Sequence, residues 1–164
     1  MTSTVSIRNA TIGDVPQIHS FIRDLAIFEK LEQEHVGTEA DLEETLFGAS
    51  APYAHVVFAV IDGVDVGFAL YYYTYSTFLS RPGIHLEDLF VSDSVRGKGV
   101  GTALLKHLAK IAKESNFKRV EWAALDWNTP AINFYTGNIV RARELKEWKM
   151  FRLTGDELDA FAKA

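Results

Sequence analysis

Apolar and polar residues alternate from Val5 to Arg8, which predicts a short strand near the start of the chain. Val15, Ile18, Ile22 and Leu25 then recur at helical spacing, joined by Phe21 and Phe28. They predict a first helix ending near Phe28, capped by Asp14 with Gln17 three residues on. After the polar stretch Glu29–Gly37, Thr38 with Asp41 predicts the start of a second helix, and Gly48 its end. His55–Ile61 and Val66–Tyr75 are β-rich runs joined through Asp62-Gly63, a hairpin signal. Leu79–Gly83 reads as loop and Ile84–Val91 as a strand. That strand carries adjacent acids, Glu87 and Asp88, and strand alternation turns one of them inward.

A glycine-rich stretch, Arg96–Gly101, leads into a strongly amphipathic helix. Its apolar face is Leu104, Leu105, Leu108, Ile111 and Ala112, with Lys106, Lys110 and Lys113 opposite. Arg119–Leu125 predicts a strand, Asn128-Thr129-Pro130 opens a short helix through Tyr135, and Trp148–Leu153 alternates as a late strand. Thr154 with Glu157 is expected to cap a last helix. The order is that of a mixed α/β chain, with a βαβ unit and hence a parallel strand pair in its second half.

At 164 residues, 48% hydrophobic and 24% charged, the chain suits one domain over 1–164 that needs no disulfide or metal staple. No apolar run approaches the roughly 20 residues of a membrane helix. Met1-Thr2-Ser3-Thr4 lacks a basic region leading into an apolar one, so no signal peptide is expected. The absence of cysteine excludes thiol nucleophiles and cysteine-held metals and fits a reducing, cytoplasmic setting. A net charge of −5 argues against general nucleic-acid binding and leaves room for a cationic substrate.

The chemistry concentrates around Arg96-Gly97-Lys98-Gly99-Val100-Gly101-Thr102. Glycines let the backbone turn tightly, and the free N–H groups of a helix start favour an anion. A Walker A loop needs Ser or Thr after its lysine, but Lys98 is followed by Gly99. A dinucleotide fingerprint needs a third glycine where Thr102 stands. The remaining readings are an ordinary glycine-rich turn and the pattern Arg-x-x-Gly-x-Gly, met by Arg96, Gly99 and Gly101.

That last pattern resembles the coenzyme A pyrophosphate loop of the GNAT acetyltransferases. Asn128-Thr129-Pro130-Ala131-Ile132-Asn133-Phe134-Tyr135 resembles a second hallmark of that family, and Leu86–Val91 its central strand, in the family's order and spacing. Leu25–Glu29, Tyr71–Tyr75, His85–Asp88 and Asp126-Trp127-Asn128 are similar to the diamine acetyltransferases, which act on spermidine, spermine and thialysine-like amines.

The resemblance implies a GNAT acyl-CoA N-acyltransferase fold: a mixed, mostly antiparallel α+β sheet flanked by helices and splayed at the coenzyme cleft. It implies acetyl transfer from acetyl-CoA to a primary amine of a small cationic molecule in a ternary complex, without metal, in a homodimer, with no nucleic-acid or membrane partner. Backbone groups of Leu89, Phe90 and Val91 would hold the pantetheine arm and the thioester carbonyl. Arg96, Gly97, Lys98, Gly99, Val100, Gly101 and Thr102 would hold the pyrophosphate, and Asn128, Thr129, Pro130 and Ala131 the coenzyme's other side. Tyr135 would protonate the leaving thiolate. Glu87 would contact the amine and take its proton through water, and Glu29 would contact the substrate. Phe28 stands where polyamine enzymes often carry tyrosine.

These residue types suit the reaction. An alkyl amine with a pKa near 10.4 is protonated at neutral pH, so a carboxylate must bind it and help remove the proton. Asp88, on the opposite strand face, has the weaker claim. The aromatic strand is first of all sheet packing, with cation–π contact as a second use. Histidines 19, 35, 55, 85 and 107 show no metal-ligand spacing. The Gly-Ala pair usual after Phe-Tyr is missing; Gly137 comes early, which predicts a rearranged connection to Trp148. Acetylation of a protein lysine or N-terminus, and a non-catalytic acyl-CoA-binding module, are the competing functions.

Overall fold

In chain order the elements are β1 (Ser6–Asn9), α1 (Val15–Glu29), α2 (Glu39–Leu42, continued by wider π-type turns over Glu43–Gly48), β2 (His55–Ile61), β3 (Val64–Ser76) and β4 (Arg81–Val91). They are followed by α3 (Val100–Glu114), β5 (Val120–Glu121), α4 (Thr129–Thr136) and α5 (Gly155–Ala162). The computed structural model describes residues 4–164; the leader-free start read at Met1, Thr2 and Ser3 lies outside them. The chain falls into two compact units, 1–128 and 129–164.

In the first unit the strands lie in the order β1-β2-β3-β4-β5. The first four form an antiparallel meander, and β5 joins β4 in parallel after the α3 crossover. Asp62 and Gly63, with φ of 50° and 80°, make the tight turn between β2 and β3. Helix α1 covers one face of the sheet. Its Phe21 ring lies 5.3–6.0 Å from Phe58, Phe68 and Phe90, in a core shared with Ile18, Leu46, Val56 and Leu70. Helix α3 covers the other face, burying Val100, Leu104 and Leu108 completely or nearly so. Gly67, which neighbours Phe68 and so points the opposite way, lies against Val100.

Several expectations are corrected. Asp14 does not cap α1 with its side chain. Its carboxylate takes two hydrogen bonds of 2.8 Å from Arg8 and one from the Thr11 backbone. Arg8 also grips Asp65 and lies 4.5 Å over the Phe58 ring, tying β1 to α1 and β3. The Arg8 guanidinium holds Asp14 well below the usual carboxylate range. The stretch read as loop, Leu79–Gly83, already enters β4 at Arg81. The strand expected over Arg119–Leu125 pairs only at Val120 and Glu121.

In the second unit no strand forms at Trp148–Leu153. Trp148, Met150, Phe151 and Leu153 are exposed there, since alternation makes a strand only where a partner ladder accepts it. Thr154 stands at the start of α5 without a side-chain cap bond. The altered segment after Tyr135 folds back on α4, with the Ala142 N–H donating to the Tyr135 carbonyl at 2.9 Å.

Gly67 sits where β3, β4 and α3 meet. A Cβ there would lie 2.6 Å from the Phe90 carbonyl oxygen and 3.3 Å from Val91 Cα, both backbone. Gly67→Ala is expected to destabilise the fold by about 1–3 kcal/mol, read as a fall in melting temperature of roughly 3–10 °C.

Candidate active site

The register between β3 and β4 changes in mid-strand. Tyr71 faces Leu86, but the next residue of β3, Leu70, faces Asp88, so Glu87 is the extra residue of a β-bulge. The bulge exchanges the faces of β4. Ile84 and Leu86 pair with Tyr73 and Tyr71 on the α3 side, whereas Asp88 and Phe90 pair with Leu70 and Phe68 on the α1 side. Among the described residues the β4–β5 ladder runs over Ile84↔Val120 and His85↔Glu121 and stops, so the two strands separate at this same level.

The two adjacent acids differ in environment. The Glu87 side chain is 53% exposed, 3.7 Å from His85 Nε2. Asp88 is partly buried on the α1 face, where α1 ends at Glu29. Burial pushes its carboxyl from 3.8 up to about 7, and the charges of Glu87 and Glu29 add to the effect. Burial also raises Glu29. Two carboxylates, Glu87 of β4 and Glu29 of α1, therefore act on a third, Asp88, at the bulge. Tyr72 completes the group. Burial raises its hydroxyl, and the nearby Glu87 carboxylate adds to the effect. The sequence assigned Asp88 the weaker claim because alternation counts faces without bulges. Here Asp88 is the acid turned into the structure.

Beside this group lies a run of rings and cations. The Arg96 guanidinium is 4.8 Å over Phe28, Phe28 is 6.0 Å from Trp127, and Lys30 Nζ is 5.2 Å over Trp127. Trp127 belongs to the segment Asp126-Trp127-Asn128 that carries the family resemblance, which by itself gives its ring no role.

The glycine-rich loop has the shape of an anion cradle. Gly97 and Gly99 adopt φ of 76° and 83°, and nothing lies within 4 Å of a Cβ built on either. Gly99 is the N-terminal boundary of α3, so the first N–H groups of Val100, Gly101 and Thr102 have no carbonyl one turn back. This backbone fits a phosphate-bearing ligand. The side chain of Arg96 serves a different purpose: it donates to the Val91 carbonyl at 3.1 Å and pairs with Asp93 at 2.8 Å. The Val91 carbonyl is thus already engaged, and Phe90 is a core side chain whose backbone pairs with Phe68 of β3, leaving the Leu89 backbone and the Val91 N–H on the edge of β4 away from β3. Asn128 closes the first unit with its N–H on the Leu125 carbonyl at 2.9 Å. In the second unit, Thr129, Pro130 and Ala131 form the first turn of α4, and the Tyr135 ring lies 5.4 Å from Phe134. Among the described residues no group of His, Asp or Glu is arranged to hold a metal ion, and no helix is long and apolar enough to cross a membrane.

Comparisons with known proteins agree with this geometry. The model of the Acetyltransferase (GNAT) family matches residues 18–137. An L-ornithine N5-acetyltransferase of Arabidopsis thaliana is 34% identical, covering 96% of this chain and 87% of its own. A thialysine N-epsilon-acetyltransferase of Mus musculus is 35% identical, covering 99% of each chain. Among solved structures, an integron cassette protein from the mobile metagenome of V. cholerae superposes with a TM-score of 0.80 at 29% identity, covering 100% of this chain and 99% of that one.

The raised Asp88 carboxyl links folding to pH. Asp88 holds its proton more tightly folded than unfolded, so the native state loses stability as pH rises from about 4 to 7. Asp88→Asn is expected to stabilise the protein at pH 8 by about 2–4 kcal/mol, or roughly 5–15 °C in melting temperature, and to leave it unchanged near pH 3.5. Thermal melts of both proteins across this range provide the check.

Proposed function

The chain belongs to the GNAT acetyltransferase family, and we propose that it transfers the acetyl group of acetyl-CoA to a primary amine of a small cationic molecule of the ornithine, thialysine or polyamine class. The observation that carries this reading is the cluster of Glu29, Glu87 and Asp88 at the β4 bulge. Burial first, and the charges of Glu87 and Glu29 second, raise the Asp88 carboxyl, and a bound cation would favour its charged form. The names of the ornithine and thialysine relatives support the same acceptor class.

Acetyl-CoA supplies the acyl group as an activated thioester. The N–H groups of Gly97, Gly99, Val100, Gly101 and Thr102 would hold its pyrophosphate together with the Lys98 side chain, whose own N–H is bonded to the Val95 carbonyl, with Asn128, Thr129, Pro130 and Ala131 holding its other side. In the segment Leu89, Phe90 and Val91, the backbone groups of Leu89 and the Val91 N–H, on the edge that β5 leaves, would hold the pantetheine arm and polarise the carbonyl, while Phe90 stays paired with β3. Arg96 keeps the strand end and the loop in register through Val91 and Asp93. Glu29 and Asp88 bind the acceptor's ammonium. Glu87, exposed beside the bulge, takes the proton that makes the amine nucleophilic. Tyr135 donates the proton to the departing thiolate, a role assigned from its place in the Asn128–Tyr135 motif. No covalent intermediate on the protein is needed. A single catalytic domain spanning the chain, acting as a cytoplasmic homodimer, belongs to the same reading.

The test is CoA release from acetyl-CoA over a panel of ornithine, lysine, thialysine, spermidine, spermine and a lysine peptide. Turnover with a free diamine or basic amino acid is expected; turnover with the peptide alone would make this a protein acetyltransferase. Coenzyme binding without any turnover would leave a binding module. Tyr135→Phe is expected to lower kcat about 100-fold while preserving coenzyme affinity. The KM for the amine is expected to rise as pH falls below about 7, because Asp88 then keeps its proton and the site loses negative charge.

A further inference from the structure

The end of α1 holds a cation in an unusual setting. Lys30 caps the helix with φ 61° and ψ 35°, a left-handed conformation that helices usually fill with glycine. Its N–H donates to the carbonyls of Ala26 and Ile27. The chain turns there directly after Glu29, and Lys30 Nζ lies 5.2 Å over the Trp127 ring. Arg96, the other cation of this pile, is committed to Asp93 and the Val91 carbonyl. Among the described residues Lys30 makes no ion pair, although Glu29 adjoins it and Glu32 and Glu34 follow in the next turn. A lysine in a place that suits glycine points to work done by its side chain.

We infer that Lys30 binds a carboxylate of the acceptor, so that the site takes a basic amino acid in preference to a plain diamine or polyamine. This rests on the reading of Glu29, Glu87 and Asp88 as the place of the acceptor's reactive ammonium. Glu29 and Lys30 are neighbours in sequence, yet Glu29 is partly buried and adds its charge to Asp88, whereas Lys30 is exposed. Negative charge therefore lies inside, and a positive charge stands at the rim. An ornithine- or lysine-like acceptor has the matching order, with a side-chain ammonium at one end and a carboxylate at the other, its α-ammonium facing water. A polyamine carries ammonium groups at both ends, and its outer one meets Lys30 with like charge.

Trp127 suits Lys30 to this task. A lysine on an open surface spreads its ammonium over many rotamers, and fixing it costs that freedom. The indole face attracts the ammonium and leaves N–H donors to turn toward an oxygen. Trp127 also lies 6.0 Å from Phe28, which places the ring against the last turn of α1. A carboxylate that docks on Lys30 gains a charge-assisted hydrogen bond without displacing an anion of the protein's own.

The test compares acceptors that differ only in the carboxylate: ornithine with putrescine, and lysine with cadaverine. In the wild type, kcat/KM is expected to favour the amino acid of each pair. Lys30→Met keeps a stem against Trp127 and removes the charge. It is expected to raise the KM for the amino acids about five- to tenfold with kcat unchanged, and to lower the KM for the diamines or leave it as it was. Lys30→Arg is expected to retain the wild-type preference. A wild type that prefers the diamines would overturn the inference. So would a Lys30→Met that weakens both members of a pair equally, because that places the effect in packing at the end of α1. The preference is also read without chemistry, from calorimetric binding of ornithine and putrescine to the protein saturated with CoA. Equal binding of the two, or binding of neither, overturns the role of Lys30. A preference for ornithine that Lys30→Met abolishes, without turnover of any amine, upholds it and puts the failure in the proposed reaction instead.

Discussion

Two strands of unequal residue count are joined at one point, and the site follows from that mismatch. Between Tyr71 and Leu70 the chain of β3 advances by one residue while β4 advances by two, from Leu86 to Asp88. A regular ladder would continue Leu86 to Asp88 on the α3 face, where apolar side chains pack without polar partners. The extra residue instead turns Asp88 and Phe90 to the α1 face and sends Phe90 into the Phe21 core. The same irregularity marks where β5 ceases to follow β4, so a packing solution and an open strand edge arise together. Gly67 lets this arrangement close, since β4 backbone and Val100 occupy the space a side chain would need.

The electrostatics are those of an incomplete site. Burial, with the charges of Glu87 and Glu29 added to it, disfavours the ionised form of Asp88, and that costs stability once the pH is high enough to remove its proton. By contrast, Arg8 with Asp14 and Asp65 is a complete set whose charges answer one another within the protein, and it fastens β1 to α1 and β3. The contrast separates charge that serves architecture from charge that awaits a ligand.

How far the sequence could be read depended on whether a feature was local. His55–Ile61, the Asp62-Gly63 turn, the capping residues Thr38 and Asp41 and the apolar face of α3 are set by neighbours within one turn or one strand. The glycine loop was also legible, because Gly97 and Gly99 need backbone angles that few other residues adopt. The bulge was not legible, since alternation carries no mark of a residue that is skipped. Alternation therefore tells only that one of Glu87 and Asp88 turns inward, and the bulge makes it Asp88. Trp148–Leu153 failed for the opposite reason: the local pattern is that of a strand, but pairing is decided by a distant partner. Arg119–Leu125 shortened to Val120–Glu121 because its partner strand bends away at Glu87.

The stack formed by Arg96, Phe28, Trp127 and Lys30 has a consequence for selectivity. Each ring already has one of the protein's own cations against it. One face of each ring is thus already answered from within the protein, and a quaternary ammonium, which has no N–H to donate and relies on aromatic faces, meets less bare ring surface here than the two side chains alone would offer. The rings and their resident cations form an alternating pile in which each member screens the next.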